Sequence, residues 1–287
     1  MAERTYRSVG KEKRMNLKER TLVITGGASG IGRATCRRLA GEGVGAIAVV
    51  DQCEAVVEVC AEANRELGIT VLHPFRGDVS SPDFREEVFE AMESKFGCVS
   101  LCVPAAGITR DRLSVKVNEN NGQSTLDLYG EDDFRRVLEI DLIAPIYWAM
   151  RTIGSVALDR ARNGLKQWSP EESMQGAIVL IGSISSAGNR GQISYASAKA
   201  GLEGAQATLA TEAIYYGVRC AIIHPGFTDT PMVQAMGDRI IDNMILPNTQ
   251  LRRLIRPDEI AGAICFMLKN SAVSGALWAD AGWHPSA

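Results

Sequence analysis

The sequence predicts an α/β protein, a doubly wound parallel sheet of seven strands, at a length that fits one such domain or two small ones. Three observations predict it. Short apolar, β-branched runs alternate with helix-length segments along most of the 287 residues, a pattern that implies right-handed crossovers and a parallel sheet. The first such run, residues 21–25, leads directly into Gly26-Gly-Ala-Ser-Gly-Ile-Gly32 and then into a helical pattern. Thr25, Asp51, Asp78, Gly107 and Ser183 fall where runs end, the edge of such a sheet at which ligands bind.

Taken in order, residues 21–25 read as the first strand. The glycine-rich turn after it suits a phosphate: glycines let the backbone come close, and the following helix offers free N–H groups and a positive dipole end. Gly26, Ser29, Gly30, Ile31 and Gly32 are therefore candidate cofactor contacts. Residues 46–50 form a second strand closed by Asp51, 19 residues after Gly32. An acid there can accept bonds from ribose hydroxyls and repels a 2′-phosphate, which favours NAD over NADP. Its structural alternative is a helix N-cap, because residues 53–67 look helical. No basic residue occupies position 29, although Arg33 and Arg76 are near in sequence.

Residues 70–75 read as a third strand, with Asp78 and Val79 after it, placed to flank an adenine. Residues 83–96 form an amphipathic helix, and residues 99–103 a fourth strand ending in Pro104-Ala105-Ala106-Gly107. Residues 109–131 are polar and read as a loop. A long helix is expected over 132–162, kinked at Pro145, followed by a second polar stretch over 163–176.

The run at 177–181 is a buried strand that ends at Ser183. Tyr195 follows twelve residues later, and Lys199 lies one helical turn beyond it, on the same helix face. A cation beside a phenol favours the phenolate and lowers a pKa that is otherwise near ~10. Tyr195 is thus expected to exchange a proton with a substrate oxygen that Ser183 also hydrogen-bonds. Alone, the pair is equally a core tyrosine beside a surface lysine. A sixth strand at 218–223 leads into His224-Pro-Gly-Phe-Thr-Asp-Thr-Pro231. Pro225, Gly226, Thr228 and Thr230 in that turn are candidates to meet a carboxamide. Residues 232–256 read as a core-packed helix or as a lid over an apolar substrate. Residues 257–259 open a last helix, and residues 277–280 close the sheet.

Composition limits the function classes. Apolar residues make up 46% and charged residues 23% of the chain, ordinary for a globular protein. The net charge of -3 gives no basic field for nucleic acid. Seven scattered cysteines and three distant histidines lack metal-ligand spacing and suggest buried thiols in a reducing cytoplasm. No apolar run approaches membrane-spanning length. Residues 1–19 are read as a basic arm that is mobile or packs on a neighbouring subunit, and 20–287 as the domain.

Together, Thr25-Gly-x3-Gly-x-Gly32, Asp78, Ala106-Gly107, Ser183, Tyr195-x3-Lys199 and Pro225-Gly226 resemble the short-chain dehydrogenase/reductase family, from about Leu17 to Gly282. The resemblance implies a single Rossmann-like domain, oxidoreductase activity on alcohols and ketones, a nicotinamide cofactor and a homodimer or homotetramer. By the same resemblance Ser183, Tyr195 and Lys199 are catalytic, and Ala105, Ala106, Gly107, Tyr195 and Lys199 also meet the cofactor. Asp141 aligns with the family's fourth catalytic member, an asparagine. Pro104-Ala105 replaces two family amides, and Asp280-Ala-Gly282 replaces Asp-Gly-Gly. Gly188-Asn-Arg-Gly-Gln192 resembles the NADPH-dependent 3-oxoacyl-thioester reductases. Arg190, Arg219, Arg252 and Arg253 are then surface arginines, solvated or facing an acidic carrier. The departures also leave open a catalytically idle NAD-binding subunit.

Overall fold

Strands β1 (Thr21–Thr25), β2 (Ala46–Asp51), β3 (Leu72–Arg76), β4 (Val99–Pro104), β7 (Gly176–Ile181), β8 (Val218–Pro225) and β9 (Gly275–Ala279) build one sheet in the computed structural model, which describes residues 15–120 and 122–283. The order is β3-β2-β1-β4-β7-β8-β9 and every pairing is parallel. The sheet is Rossmann-like, and the strand order reverses between β1 and β4, which opens a crevice above their carboxyl ends. Strands buried on both faces need continuous apolar runs. Accordingly β1, β4, β7 and β8 are buried at every position.

Side chains alternate between two cores. Leu22 and Ile24 of β1 pack into one core beneath α1 (Gly30–Gly41) and the last helix (Pro257–Lys269). Val23 joins the other, with Trp148 and Leu202 from the helices on the opposite face. Met15 and Leu17 are buried in the first core, so the domain begins before residue 20. The basic arm otherwise falls in 1–14, outside the described residues, as does His284. Among the described residues no helix is long and apolar enough to cross a membrane.

Four expectations need correction. The loop expected at 109–131 contains an antiparallel hairpin, β5 (Val115–Asn120) and β6 (Gln123–Leu128), with Asn120 opposite Gln123. Asn121-Gly122 between alternating apolar residues was the signal for it. The helix expected over 132–162 is α4 (Glu131–Leu138), a π-helical turn (Glu139–Ile143) and α5 (Ala144–Arg162). Pro145 has no N–H to give this continuous helical segment, and the irregularity, the π-helical turn, lies just before it. Residues 232–256 form no single helix but short pieces, α7 (Pro231–Gln234), α8 (Asp238–Ile240) and further π and 3-10 turns. Arg219 is not on the surface. It is buried and donates to the carbonyls of Met267, Leu268 and Val273, which satisfies the C-terminus of the last helix.

The polar stretch at 163–176 has no helix or strand before β7, yet it is tied down. Arg160, buried in α5, forms a two-pronged pair with Glu172 at 2.7 and 3.2 Å. Trp168 N–H donates to the Tyr215 carbonyl at 2.8 Å. The remaining helices are α2 (Val56–Leu67), α3 (Pro82–Phe96), α6 (Ile193–Ala213) and α9 (Pro257–Lys269). Cys36, Cys60, Cys102, Cys220 and Cys265 are buried free thiols, whereas Cys53 is exposed.

Candidate active site

A cleft of about 280 Å³ lies in the crevice at the strand-order reversal. Its floor is the turn from β1 into α1. Ser29 caps α1 in extended conformation without a side-chain bond to the first turn, so the first amides of the helix keep their donors for an anion. Gly32 is required there by close approach: a Cβ on it would fall 2.1 Å from the Gly26 carbonyl oxygen. Thr25 ties the turn to the end of β4. Its carbonyl accepts the Ala105 N–H and its hydroxyl accepts the Ala106 N–H, each at 3.1 Å. These bonds brace the fourth strand through the backbone where Pro104 and Ala105 have no side-chain amides.

Asp51 stands at one end of the cleft. Its carboxylate accepts the Ala28 N–H at 3.0 Å and the Cys53 N–H at 2.9 Å. It is not the cap of α2, whose N-cap is Ala55. Asp78 also lines the cleft and pairs with Arg136 at 3.0 Å. The hydroxyl and backbone N–H of Ser80 and the Arg136 guanidinium hold its carboxyl below the usual range, against the opposing effect of burial.

Tyr195 and Lys199 stand at the other end, one above the other on α6. The Lys199 Nζ lies 5.4 Å from the centre of the Tyr195 ring and donates to the Ile181 carbonyl at 3.1 Å. Ser183, two residues past the end of β7, lines the same cavity wall as Tyr195, and its hydroxyl accepts the Ser185 N–H at 3.1 Å. Asp141, in the π-helical turn, places Oδ1 3.3 Å from Lys199 Nζ and accepts the Ile108 N–H on Oδ2 at 2.9 Å. Gly107 leaves room for it, since a Cβ there would sit 2.6 Å from Oδ1.

The electrostatics differ from the expectation in one respect. Burial pushes the Tyr195 phenol above its ordinary pKa. Lys199 pulls it down, as expected, and so does the nearby Ser183 hydroxyl, while Asp141 and Asp111 push it further up. The net direction is upward, because taking a phenolate out of water costs more than one partly compensated ammonium returns. Burial likewise raises the Asp141 carboxyl, against the pull of Lys199 and the Ile108 N–H.

A second cavity of about 120 Å³ adjoins the first and shares Ile31, Ile181, Tyr195, Thr230 and Met232 with it. Its walls are largely apolar and include Ile184, Phe227, Val233 and Met236. One side carries a polar chain: Gln192 Nε2 donates to Asp111 at 2.8 Å, and Ser185 Oγ donates to Gln192 Oε1 at 2.8 Å.

The structure brings most of the expected residues together. Gly26, Ser29, Gly30, Ile31, Gly32, Asp51, Asp78, Val79, Ala105, Ala106, Gly107, Asp141, Tyr195, Lys199 and Thr230 line the cleft. Ser183, Pro225, Gly226 and Thr228 line the second cavity instead. The Thr228 hydroxyl is turned back onto the Gly226 carbonyl at 3.0 Å, and Thr230 caps α7 through the Val233 N–H. Sequence reasoning missed Gln52, Ile108, Ile140, Asp111 and Gln192. The apolar ones carry no chemical signal, and Asp111 sits in what reads as an ordinary loop. It also missed His224, which is buried, stacked 4.2 Å from Trp278, with Nδ1 3.1 Å from the Ser183 carbonyl.

Comparison with known proteins gives this geometry its family. A family model described as enoyl-(acyl carrier protein) reductase matches residues 26–284. The chain belongs to the short-chain dehydrogenase/reductase family. It is 34% identical to a cis-4-hydroxycyclohexanecarboxylate dehydrogenase of Sinomonas cyclohexanicum, covering 93% of this chain and 96% of that one. It is 30% identical to an acetoacetyl-CoA reductase of Allochromatium vinosum, over 86% and 90% of the two chains. Among solved structures, a 3-hydroxyacyl-CoA dehydrogenase type-2 from Mycobacterium avium superposes with a TM-score of 0.77 at 25% identity, covering 95% and 99%. This short-chain dehydrogenase/reductase is accordingly an NAD(P)-dependent oxidoreductase.

Proposed function

We propose that the protein interconverts a secondary alcohol and a ketone with NAD(H), using Tyr195 as general acid/base. The observation that carries the reading is the meeting of Ser183, Tyr195 and Lys199 where the two cavities join. The glycine turn would hold a pyrophosphate, Asp51 an adenosine ribose, and Lys199 the ribose next to the reacting ring. When bound, the nicotinamide supplies or accepts the hydride at the substrate carbinol carbon.

The chain's own residues do the rest. Ser183 donates a hydrogen bond to the substrate oxygen and fixes it beside the phenol. In the reductive direction the Tyr195 O–H gives its proton to that oxygen as negative charge develops on it. In the oxidative direction the phenolate takes the hydroxyl proton as hydride leaves the carbon. Ile184, Phe227, Val233 and Met236 exclude water from the reacting face and favour an apolar substrate. NAD is favoured over NADP because Asp51 faces the ribose end, and Lys199, at the far end, is the one lysine or arginine among the described residues lining the cleft.

Tyr195→Phe tests the mechanism on a panel of secondary alcohols with both cofactors. Turnover should fall by about 10²–10⁴, and full activity in the variant would remove Tyr195 from the chemistry. A second reading, an NADPH-dependent 3-oxoacyl-thioester reductase, is favoured by two similar proteins named for acyl-CoA substrates. Faster turnover of acetoacetyl thioesters with NADPH than of any alcohol with NAD would select it. A homodimer or homotetramer belongs to either reading, supported by Tyr147, Met150 and Leu158 left exposed on α5. Light scattering that finds a monomer would remove it.

A further inference from the structure

Asp141 and Lys199 are far apart in sequence and meet from two elements, the π-helical turn and α6. Their closest atoms are 3.3 Å apart, with 0% and 4% of the side chains exposed. Each has one further partner: Asp141 Oδ2 accepts the Ile108 N–H, and Lys199 Nζ donates to the Ile181 carbonyl. Gly107 closes over Oδ1 with no space for a Cβ. The pair is therefore built in, not a surface contact that happens to form.

A buried carboxyl alone would take up a proton and become neutral. Here an ammonium and a backbone N–H both face it, and each favours the ionised form. A carboxylate locked to an ammonium also offsets that ammonium's field at any third group nearby. The third group is the Tyr195 phenol, over which Lys199 sits.

We infer that Asp141 is a positioning residue whose carboxylate pairs with the Lys199 ammonium over the Tyr195 ring and offsets part of the field by which Lys199 favours the phenolate. This rests on the reading of Tyr195 as the acid/base and adds what sets its basicity. The other groups facing Tyr195 are the Ser183 hydroxyl from β7 and the Asp111 carboxylate from the segment after β4. His224 from β8 reaches Ser183 through its backbone, and Glu203 of α6 lies 3.8 Å from that imidazole. Ser183, Asp111, His224 and Glu203 are unchanged when Asp141 is replaced, so the sign of the effect belongs to Asp141.

The test titrates Tyr195 itself in the full-length protein without substrate. Tyrosinate absorbance is recorded for the wild type and for Asp141→Asn, each minus its Tyr195→Phe counterpart. The midpoint should fall in Asp141→Asn, on the order of one pH unit, because the ammonium is no longer offset. Asp141→Ser, which has a smaller side chain, should move it in the same direction and serves if the asparagine variant does not fold. The pH profile of alcohol oxidation should move to lower pH with the midpoint. An unchanged or raised midpoint in either folded variant overturns the inference. A lowered midpoint in a protein that turns over no alcohol or ketone upholds it and overturns the catalytic reading instead.

Discussion

Two aspartates mark the two ends of one cleft, and the fold satisfies them in different ways. Asp51 is held by the N–H groups of Ala28 and Cys53 and stays accessible at the rim. Asp141 is sealed from solvent and held by one N–H and one ammonium. An acid satisfied by neutral donors keeps its charge and spare lone pairs for a ligand. An acid satisfied by a buried cation spends its charge inside the protein. The first can select what binds, and the second can only tune the groups around it.

The contrast can be tested, and its largest consequence falls at the buried end. Lys199→Ala leaves Asp141 without its cation and should cost roughly 3–5 kcal/mol of stability, along with turnover. Replacing both partners, as Asp141→Leu with Lys199→Met, should return most of that stability but none of the activity. Thermal melts of the three proteins decide it. A Lys199→Ala protein as stable as wild type would mean that the pair is not ionised.

The pH dependence comes next. The raised pKa of Tyr195 keeps the phenol protonated to a higher pH than a free tyrosine, whose pKa is near ~10. Alcohol oxidation, which needs the phenolate, should therefore keep climbing as the pH rises above neutral. Ketone reduction, which needs the proton, should hold at neutral pH and fall only as the phenol titrates. Initial rates in both directions across the alkaline range check the sign. A reductive rate already falling below neutral pH would contradict it.

At the exposed end the effects are smaller. Asp51→Ala should shift cofactor preference toward NADP by roughly 10- to 150-fold, since a hydrogen bond to a charged group contributes about 1.5–3 kcal/mol. It should also lower stability by roughly 1–2 kcal/mol, because two N–H groups lose their acceptor. A wild-type preference for NADP would contradict this reading of Asp51.

The smallest effect is expected in the hairpin. Val117 and Leu126 pair across β5 and β6 and are 59% and 66% exposed. Changing both to Thr should alter stability by less than about 0.5 kcal/mol per site and leave turnover unchanged. A larger loss of stability would show that this face is covered in solution.

Much of the exposed end was legible in the sequence. The run at 21–25, the glycine turn and Asp51 are close along the chain, and local rules for strands, turns and helix starts suffice to assemble them. The hairpin was missed although Asn121-Gly122 signals one, because the polar composition around it masked the alternation of Val115, Val117, Leu126 and Leu128. Lys199 was placed correctly one turn from Tyr195 because helical spacing fixes that relation. The π-helical turn was not legible. Nothing in Glu139-Ile-Asp-Leu-Ile143 distinguishes it from the α-helix on either side. Arg219 was misread for a similar reason: a lone arginine shows no sign of the three carbonyls that gather around it.

By itself, the sequence determined the layered sheet, the glycine-rich turn after the first strand and the spacing of Tyr195 and Lys199 on one helix, because each rests on residue type and on spacing within one or two elements. Only the tertiary structure decided the direction in which Tyr195 and Asp141 are shifted. How buried Tyr195 is, that Asp141 touches Lys199 directly, and that Asp111 faces the same pocket depend on how distant segments pack. Electrostatic energies follow distance and solvent exposure in space, and neither is written in the order of residues along the chain.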